Sequence, residues 1–66
     1  MSETAYLIER NINGIVHYWG GHSAGDWRRG DQHGIRFSRE VDAQTILDWL
    51  LRFQGQVVEH MGCDAI

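Results

Sequence analysis

The sequence predicts an α+β domain in which a mainly antiparallel sheet of three to four strands carries one helix packed on one face. Three observations support this fold class. One long stretch has the apolar spacing of an amphipathic helix, two β-type stretches flank an Asn-Gly pair, and two further β-type stretches flank the helix. The predicted order of elements is β-β-β-α-β, within a single domain over residues 1–66.

The first two strands are predicted on either side of a tight turn. Residues 5–10 read AYLIER, which alternates between the two faces of a strand, and residues 15–19 read IVHYW. Between them stand Asn13 and Gly14, which together form a strong hairpin signal because both residues tolerate a positive φ. We therefore predict a β-hairpin here.

A long connection follows the hairpin. The loop from Gly20 to Gly34 reads GGHSAGDWRRGDQHG, with five glycines and neither a helical nor a strand period. Trp27 can begin a short strand within it. We expect the third strand at residues 35–38, with Ile35 and Phe37 directed to the helix. A connection of this length in so small a protein favours a functional or mobile segment.

The helix is predicted over residues 38–55, with Ser38 as the N-cap and Gly55 in the left-handed C′ position. Its apolar stripe is formed by Ala43, Ile46, Leu47, Leu50 and Phe53. A fourth strand at residues 56–60 should run parallel to the third, because the helix can carry the chain back along the sheet. The other sheet face would then be open to water or to a partner.

Size and charge exclude several classes of function. A chain of 66 residues leaves little room for a deep substrate cavity. The net charge of −3 gives no overall attraction to nucleic acid or to an anionic membrane, and all six basic residues are arginine. The sequence shows neither a transmembrane run nor a signal peptide, so we predict a cytoplasmic location in a bacterial host cell without membrane contact.

Aromatic and arginine side chains gather in and beside the glycine-rich loop. Tryptophan and arginine are enriched among residues that dominate protein interfaces. We therefore predict that a partner protein is bound by Tyr18, Trp19, Trp27, Arg28 and Arg29. Two alternatives stay open: the tryptophans pack at the edge of a small core, or the Gly20 to Gly34 loop binds nucleic acid or a nucleotide signal.

Metal ligands can be collected from the histidines and the single cysteine. His60 and Cys63 form a spaced pair, and His17, His22 and His33 lie in or near the loop. Structural zinc sites have two compact ligand pairs, whereas the second pair here is spread over the loop. We predict no metal and no cofactor.

A thiol nucleophile is the one catalytic arrangement that the sequence offers. Cys63 stands near His60 and Asp64, which are residue types of a nucleophile, a base and an orienting acid. A segment four residues from the end of the sequence rarely supplies a rigid active site. We predict that the protein is not an enzyme.

A resemblance extends over nearly the whole chain. The sequence is similar to small uncharacterised proteins carried by phages and prophages, and the similarity lies in Tyr6–Arg10, Asn13-Gly14, Tyr18-Trp19, Trp27, Ile35–Phe37, Asp42-Ala43 and Val58–His60. The resemblance implies a viral accessory protein. Many such proteins, including anti-CRISPR proteins and other counter-defence inhibitors, bind a host protein and block its working surface.

The leading prediction is therefore a non-enzymatic protein of phage or prophage origin. Its partner would be a bacterial host protein complex, such as a CRISPR–Cas system or another anti-phage defence system. A homodimer is a second partnership that we consider, because a domain of this size gains stability by pairing.

Overall fold

The computed structural model describes residues 4–61, and its architecture is a four-stranded antiparallel sheet with one α-helix. The strands lie in the spatial order β3-β2-β1-β4. The elements are β1 (Thr4–Ile12), β2 (Ile15–Trp19), β3 (Trp27–Arg29), a 3-10 helix (Asp31–His33), α1 (Glu40–Trp49) and β4 (Gln56–Met61). The predicted α+β class and the order β-β-β-α-β are confirmed. None of the helices in this part of the chain has the length and apolar character needed to cross a membrane.

The predicted hairpin is confirmed at its turn. Asn13 has a φ of 54° and Gly14 a φ of 84°, the positive pair that a two-residue hairpin requires. The Gly14 N–H donates to Asn11 Oδ1 at 2.8 Å. Ile12 pairs with Ile15 directly beside the turn, so the register of β1 and β2 follows from this local geometry.

The third strand lies elsewhere than predicted. It is formed by Trp27–Arg29 and pairs with β2, whereas residues 35–38 form a single bridge from Phe37 to Tyr6. The bridge has two backbone hydrogen bonds, of 2.8 and 2.9 Å. Because β2 pairs only with the second half of β1, residues 35–37 fill the remaining edge of β1 in line with β2.

The predicted direction of the fourth strand is confirmed relative to residues 35–38, the segment that the sequence indicated as the third strand. β4 pairs antiparallel with the first half of β1, at the sheet edge opposite β3, and Phe37 forms an antiparallel bridge to Tyr6 of β1. β4 and residues 35–38 therefore run in the same direction, whereas Trp27–Arg29 runs opposite to β4 because three antiparallel pairings separate them. The chain crosses the sheet face through α1 and reaches the free edge of β1.

Both predicted ends of the helix are wrong. The N-cap is Arg39, not Ser38, and it makes no side-chain cap bond because a guanidinium has no acceptor for a backbone N–H. The helix ends at Trp49, and Arg52 takes the left-handed position predicted for Gly55, with a φ of 56°. The Phe53 N–H then donates to the Leu47 carbonyl at 2.8 Å, which closes the helix end as a Schellman motif does.

The core lies between α1 and one face of the sheet. Its buried members are Ile8, Trp19, Ala43, Leu47 and Leu51. The predicted stripe is correct for Ala43, Leu47, Ile46 and Leu50, which are buried or packed against this cluster. It is wrong for Phe53, whose side chain is 70% exposed, because the left-handed turn at Arg52 and Phe53 breaks the helical period. Leu51, four residues after Leu47, is buried and was absent from the predicted stripe.

The sequence predicted that the second sheet face would be open to water or to a partner, but part of this face is covered. Leu7 on this face is completely buried. The segment from the 3-10 helix to Gly34 lies over it: a Cβ atom at Gly34 would come 2.8 Å from Leu7 Cδ2 and 3.0 Å from Tyr18 Cβ. A contact of 3.0 Å between Asp31 Oδ2 and His60 Nε2 ties the same segment to β4.

Candidate functional site

The five predicted contact residues lie on two faces of the sheet. Tyr18 is directly opposite Arg28, and these side chains share the face covered by the 3-10 helix. Trp19 is opposite Trp27, and they share the helix-side face with Arg29. The structure therefore does not join the five residues into one surface.

Trp19 belongs to the core. Its side chain is 4% exposed, its Nε1 donates to the Ser23 carbonyl at 2.7 Å, and its ring stacks on Phe37 with centroids 6.4 Å apart. A ring enclosed in this way offers no surface to a partner. The alternative of a core role is correct for Trp19, and its burial gives no support to the predicted binding role.

Arg28 is held by a neighbouring carboxylate. Its Nε donates to Asp26 Oδ1 at 2.9 Å, and Asp26 Oδ2 accepts the His22 N–H at 3.0 Å. The pKa of Asp26 is lowered below its ordinary value. The hydrogen bond from Arg28 is the largest cause, and the bond from the His22 N–H is the second. Arg28 thus neutralises an acid of its own loop.

Tyr18 is half-buried beside two acidic groups. Glu9 lies directly opposite it in the sheet, and Asp31 belongs to the 3-10 helix above that face. Burial is the main cause that raises the pKa of Tyr18, with contributions from Glu9 and then Asp31. The phenol therefore keeps its proton to higher pH in the folded protein than in the unfolded chain.

This shift predicts a loss of stability at alkaline pH. Above the ordinary tyrosine value of 10.0 the unfolded chain releases the phenol proton, while the folded protein still holds it. The unfolded state then binds fewer protons, so the free energy of unfolding falls as pH rises. Urea unfolding between about pH 9 and 11 should show a steeper loss for the wild type than for Tyr18→Phe. Parallel pH profiles for the two proteins would contradict the shift.

Trp27 and Arg29 share their face with two residues that sequence reasoning missed. Arg10, His17 and Arg29 stand directly opposite one another across β1, β2 and β3. The Arg10 guanidinium carbon lies 5.6 Å from the centroid of the Trp27 ring. We call these four residues the Trp27 surface. The predicted hairpin indicated two of these four residues, because its register places Arg10 opposite His17.

A second exposed feature lies at the end of α1. Trp49 is 63% exposed and Phe53 is 70% exposed, although both side chains are large and aromatic. We call this pair the aromatic helix end. Sequence reasoning assigned Phe53 to the core and gave Trp49 no role. The available signal was the position of Trp49 off the apolar stripe.

The metal and thiol arrangements are only partly covered by the structure. Within residues 4–61, no group of three or more His, Cys, Asp or Glu side chains is placed to hold a metal ion. Cys63 and Asp64 lie outside the described residues. The absence of a metal, a cofactor and an enzymatic activity therefore stays a prediction.

Comparison of the chain with protein-family models, with curated proteins and with solved structures found no match. The resemblance to phage and prophage proteins stays a prediction. The fold and the two surfaces are thus the basis on which a function can be argued.

Proposed function

We propose that this chain is a non-enzymatic accessory protein of phage or prophage origin that binds and inhibits a protein complex of the bacterial host. An anti-phage defence complex, such as a CRISPR–Cas system, is the class of target that the sequence resemblance favours. The observation that carries the protein-binding role is the aromatic helix end, Trp49 and Phe53, exposed by 63% and 70%.

Leaving the rings of Trp49 and Phe53 in water costs free energy that a partner can recover. Aromatic side chains bury about 150–250 Å² each when they are covered, which makes them dominant contributors to interfaces. Six apolar residues are buried among residues 4–61, and yet two of the largest side chains in this part of the chain stay exposed. A partner pocket that covers both rings would recover this energy.

Charged groups beside the rings suit the rim of an interface. Asp48 is adjacent to Trp49 and accepts a hydrogen bond from Gln44 at 2.8 Å. Arg52 is adjacent to Phe53 and forms no ion pair with another residue of the part described, 4–61. Its guanidinium is therefore free to meet a carboxylate of the partner. The complementary surface would be an apolar pocket with an acidic edge.

The test is an affinity pull-down from a bacterial host with tagged wild-type protein. Alanine at both Trp49 and Phe53 should weaken recovery of the host complex by at least about a hundredfold, since two central aromatic contacts are removed. The matched control is Ile15→Ala, a hairpin residue that is 42% exposed and lies outside the helix end. Recovery should be unchanged in the control.

Two further results would overturn this assignment. The first is that the Trp49→Ala, Phe53→Ala variant still recovers the host complex while a Trp27→Ala, Arg28→Ala variant loses it. The contact would then be assigned to the residues predicted from the sequence. A wild-type dimer that becomes monomeric in the Trp49→Ala, Phe53→Ala variant, measured by light scattering, would assign the rings to a second copy of the chain.

A further inference from the structure

Four of the six arginines form no ion pair within the described residues. Arg28 pairs with Asp26 at 2.9 Å and Arg39 with Asp42 at 3.0 Å. The arginines left without a carboxylate partner in residues 4–61 are Arg10, Arg29, Arg36 and Arg52. The chain has nine acidic residues and a net charge of −3, and yet these four guanidinium groups remain available to bind an anionic ligand.

Two of these arginines belong to one row of the sheet. Arg10 pairs with His17, and His17 pairs with Arg29, on three adjacent strands. Neighbouring strands are about 4.8 Å apart, and residues in register point to the same face. Arg10 and Arg29 therefore lie on one face two strands apart, at about 10 Å between their Cα atoms, with His17 between them. The carboxylate that shares this sheet face, Glu59, lies opposite Tyr6, four residues along β1 from Arg10.

The stacking contact restrains Arg10 beside the row. The Trp27 ring reaches from β3 across the sheet, since its Cη2 would lie 3.2 Å from a Cβ atom at Gly55, and the Arg10 guanidinium carbon lies 5.6 Å from the ring centroid. A guanidinium that stacks on an aromatic face keeps its N–H edges free for other bonds. Neither Arg10 nor Arg29 donates a side-chain hydrogen bond to another described residue.

We infer that the Trp27 surface binds a phosphate group. A guanidinium matches two phosphate oxygens at once, and a dianion balances both arginines, whereas a carboxylate balances one. His17 lies between the two, but its Nδ1 already donates to the Ile15 carbonyl at 2.9 Å, so the bonds to phosphate are assigned to the two arginines. Because Trp27 already restrains Arg10, binding costs less conformational entropy than it would with a free side chain.

The ligand is a single phosphate group and not a long polyanion. Only three cationic or titratable groups share the row, and the protein as a whole is negative, which repels the further phosphates of a polymer. The phosphate can be inorganic or the terminal group of a small molecule. This inference does not depend on the aromatic helix end or on the identity of a host partner.

The experiment is an NMR titration of the full chain with sodium phosphate, at an ionic strength held constant with sodium chloride. Saturable shifts are expected at the backbone amides and side chains of Arg10, His17, Trp27 and Arg29. Arg10→Gln and Arg29→Gln should each weaken binding by about tenfold, the loss of one charge-assisted contact. The matched control is Arg36→Gln, which removes an equally unpaired arginine outside the row and should leave the affinity unchanged.

Adenosine monophosphate serves as the second probe and separates the two sources of phosphate. Equal affinity for both probes means that the site reads the phosphate alone, while tighter binding of the nucleotide means that the base is also held. Unsaturable shifts with both probes would overturn the inference. The inference would also be overturned if Arg36→Gln weakened phosphate binding as much as Arg29→Gln. The loss of affinity would then depend on the net charge of the protein and not on the row. The dispersed spectrum of each variant reports that it is folded.

Discussion

Replacing Trp19 with alanine is expected to lower the free energy of unfolding by about 3–5 kcal/mol. The ring is 4% exposed and joins the sheet to the core cluster of Ile8, Ala43, Leu47 and Leu51. Its loss leaves a cavity, separates Phe37 from its stacking partner and deprives the Ser23 carbonyl of a hydrogen bond. Since domains of this kind are stable by only about 5–15 kcal/mol, the variant should be largely unfolded under mild denaturing conditions.

The measurement is urea unfolding followed by far-UV circular dichroism, which does not depend on tryptophan emission. Trp49→Ala is the matched control, because the same ring is removed from a position that is 63% exposed. Its effect should stay within about 0.5 kcal/mol. Equal losses in the two variants would show that Trp19 is not the buried tryptophan on which the core depends.

Gly55→Ala is expected to lower the free energy of unfolding by about 2–4 kcal/mol. Gly55 has a φ of 134°, a conformation that residues with a side chain rarely adopt. A Cβ atom there would lie 2.7 Å from the Glu9 carbonyl oxygen. That oxygen belongs to the strand that pairs with β4, so it cannot move aside without disturbing the Glu9 to Gln56 register.

Gly25→Ala provides the control for this effect. A Cβ atom at Gly25 would meet nothing within 4 Å, and its φ is outside the positive range. The change should therefore be neutral or slightly stabilising, by up to about 1 kcal/mol, because alanine restricts the unfolded chain. If urea unfolding gave the same midpoint for both variants, the close approach of Gly55 to β1 would be refuted.

The first hairpin was predictable because its signals are local. Asn13 and Gly14 favour positive φ whatever the rest of the chain does, and the alternation of residues 5–10 then places Ile8 and Leu7 on opposite faces. The inner positions Ala43 and Leu47 follow in the same way from the helical period. These preferences depend on neighbours a few residues apart, which a sequence displays directly.

The candidate site was predictable only in part. Trp27, Arg28 and Arg29 were found because their residue types are typical of interfaces, but Arg28 proved to be engaged by Asp26. Arg10 was missed because its contact with Trp27 joins residues on two strands that are not adjacent in the sheet. Phe53 was placed in the core because the left-handed turn at Arg52 and Phe53, which ends the helical period early, was not foreseen. The exposure of Trp49 was indicated by its position off the apolar stripe, but no role was assigned to it.

The sequence by itself determined the α+β class, the hairpin turn and the inner face of α1. Only the tertiary structure decided that Trp19 is buried while Trp49 is exposed, that β3 begins at Trp27, and that β4 joins the free edge of β1. The physical reason is the range of the interactions. Turn and helix preferences arise within a few residues, whereas the burial of a ring and the pairing of an edge strand depend on segments distant in the chain.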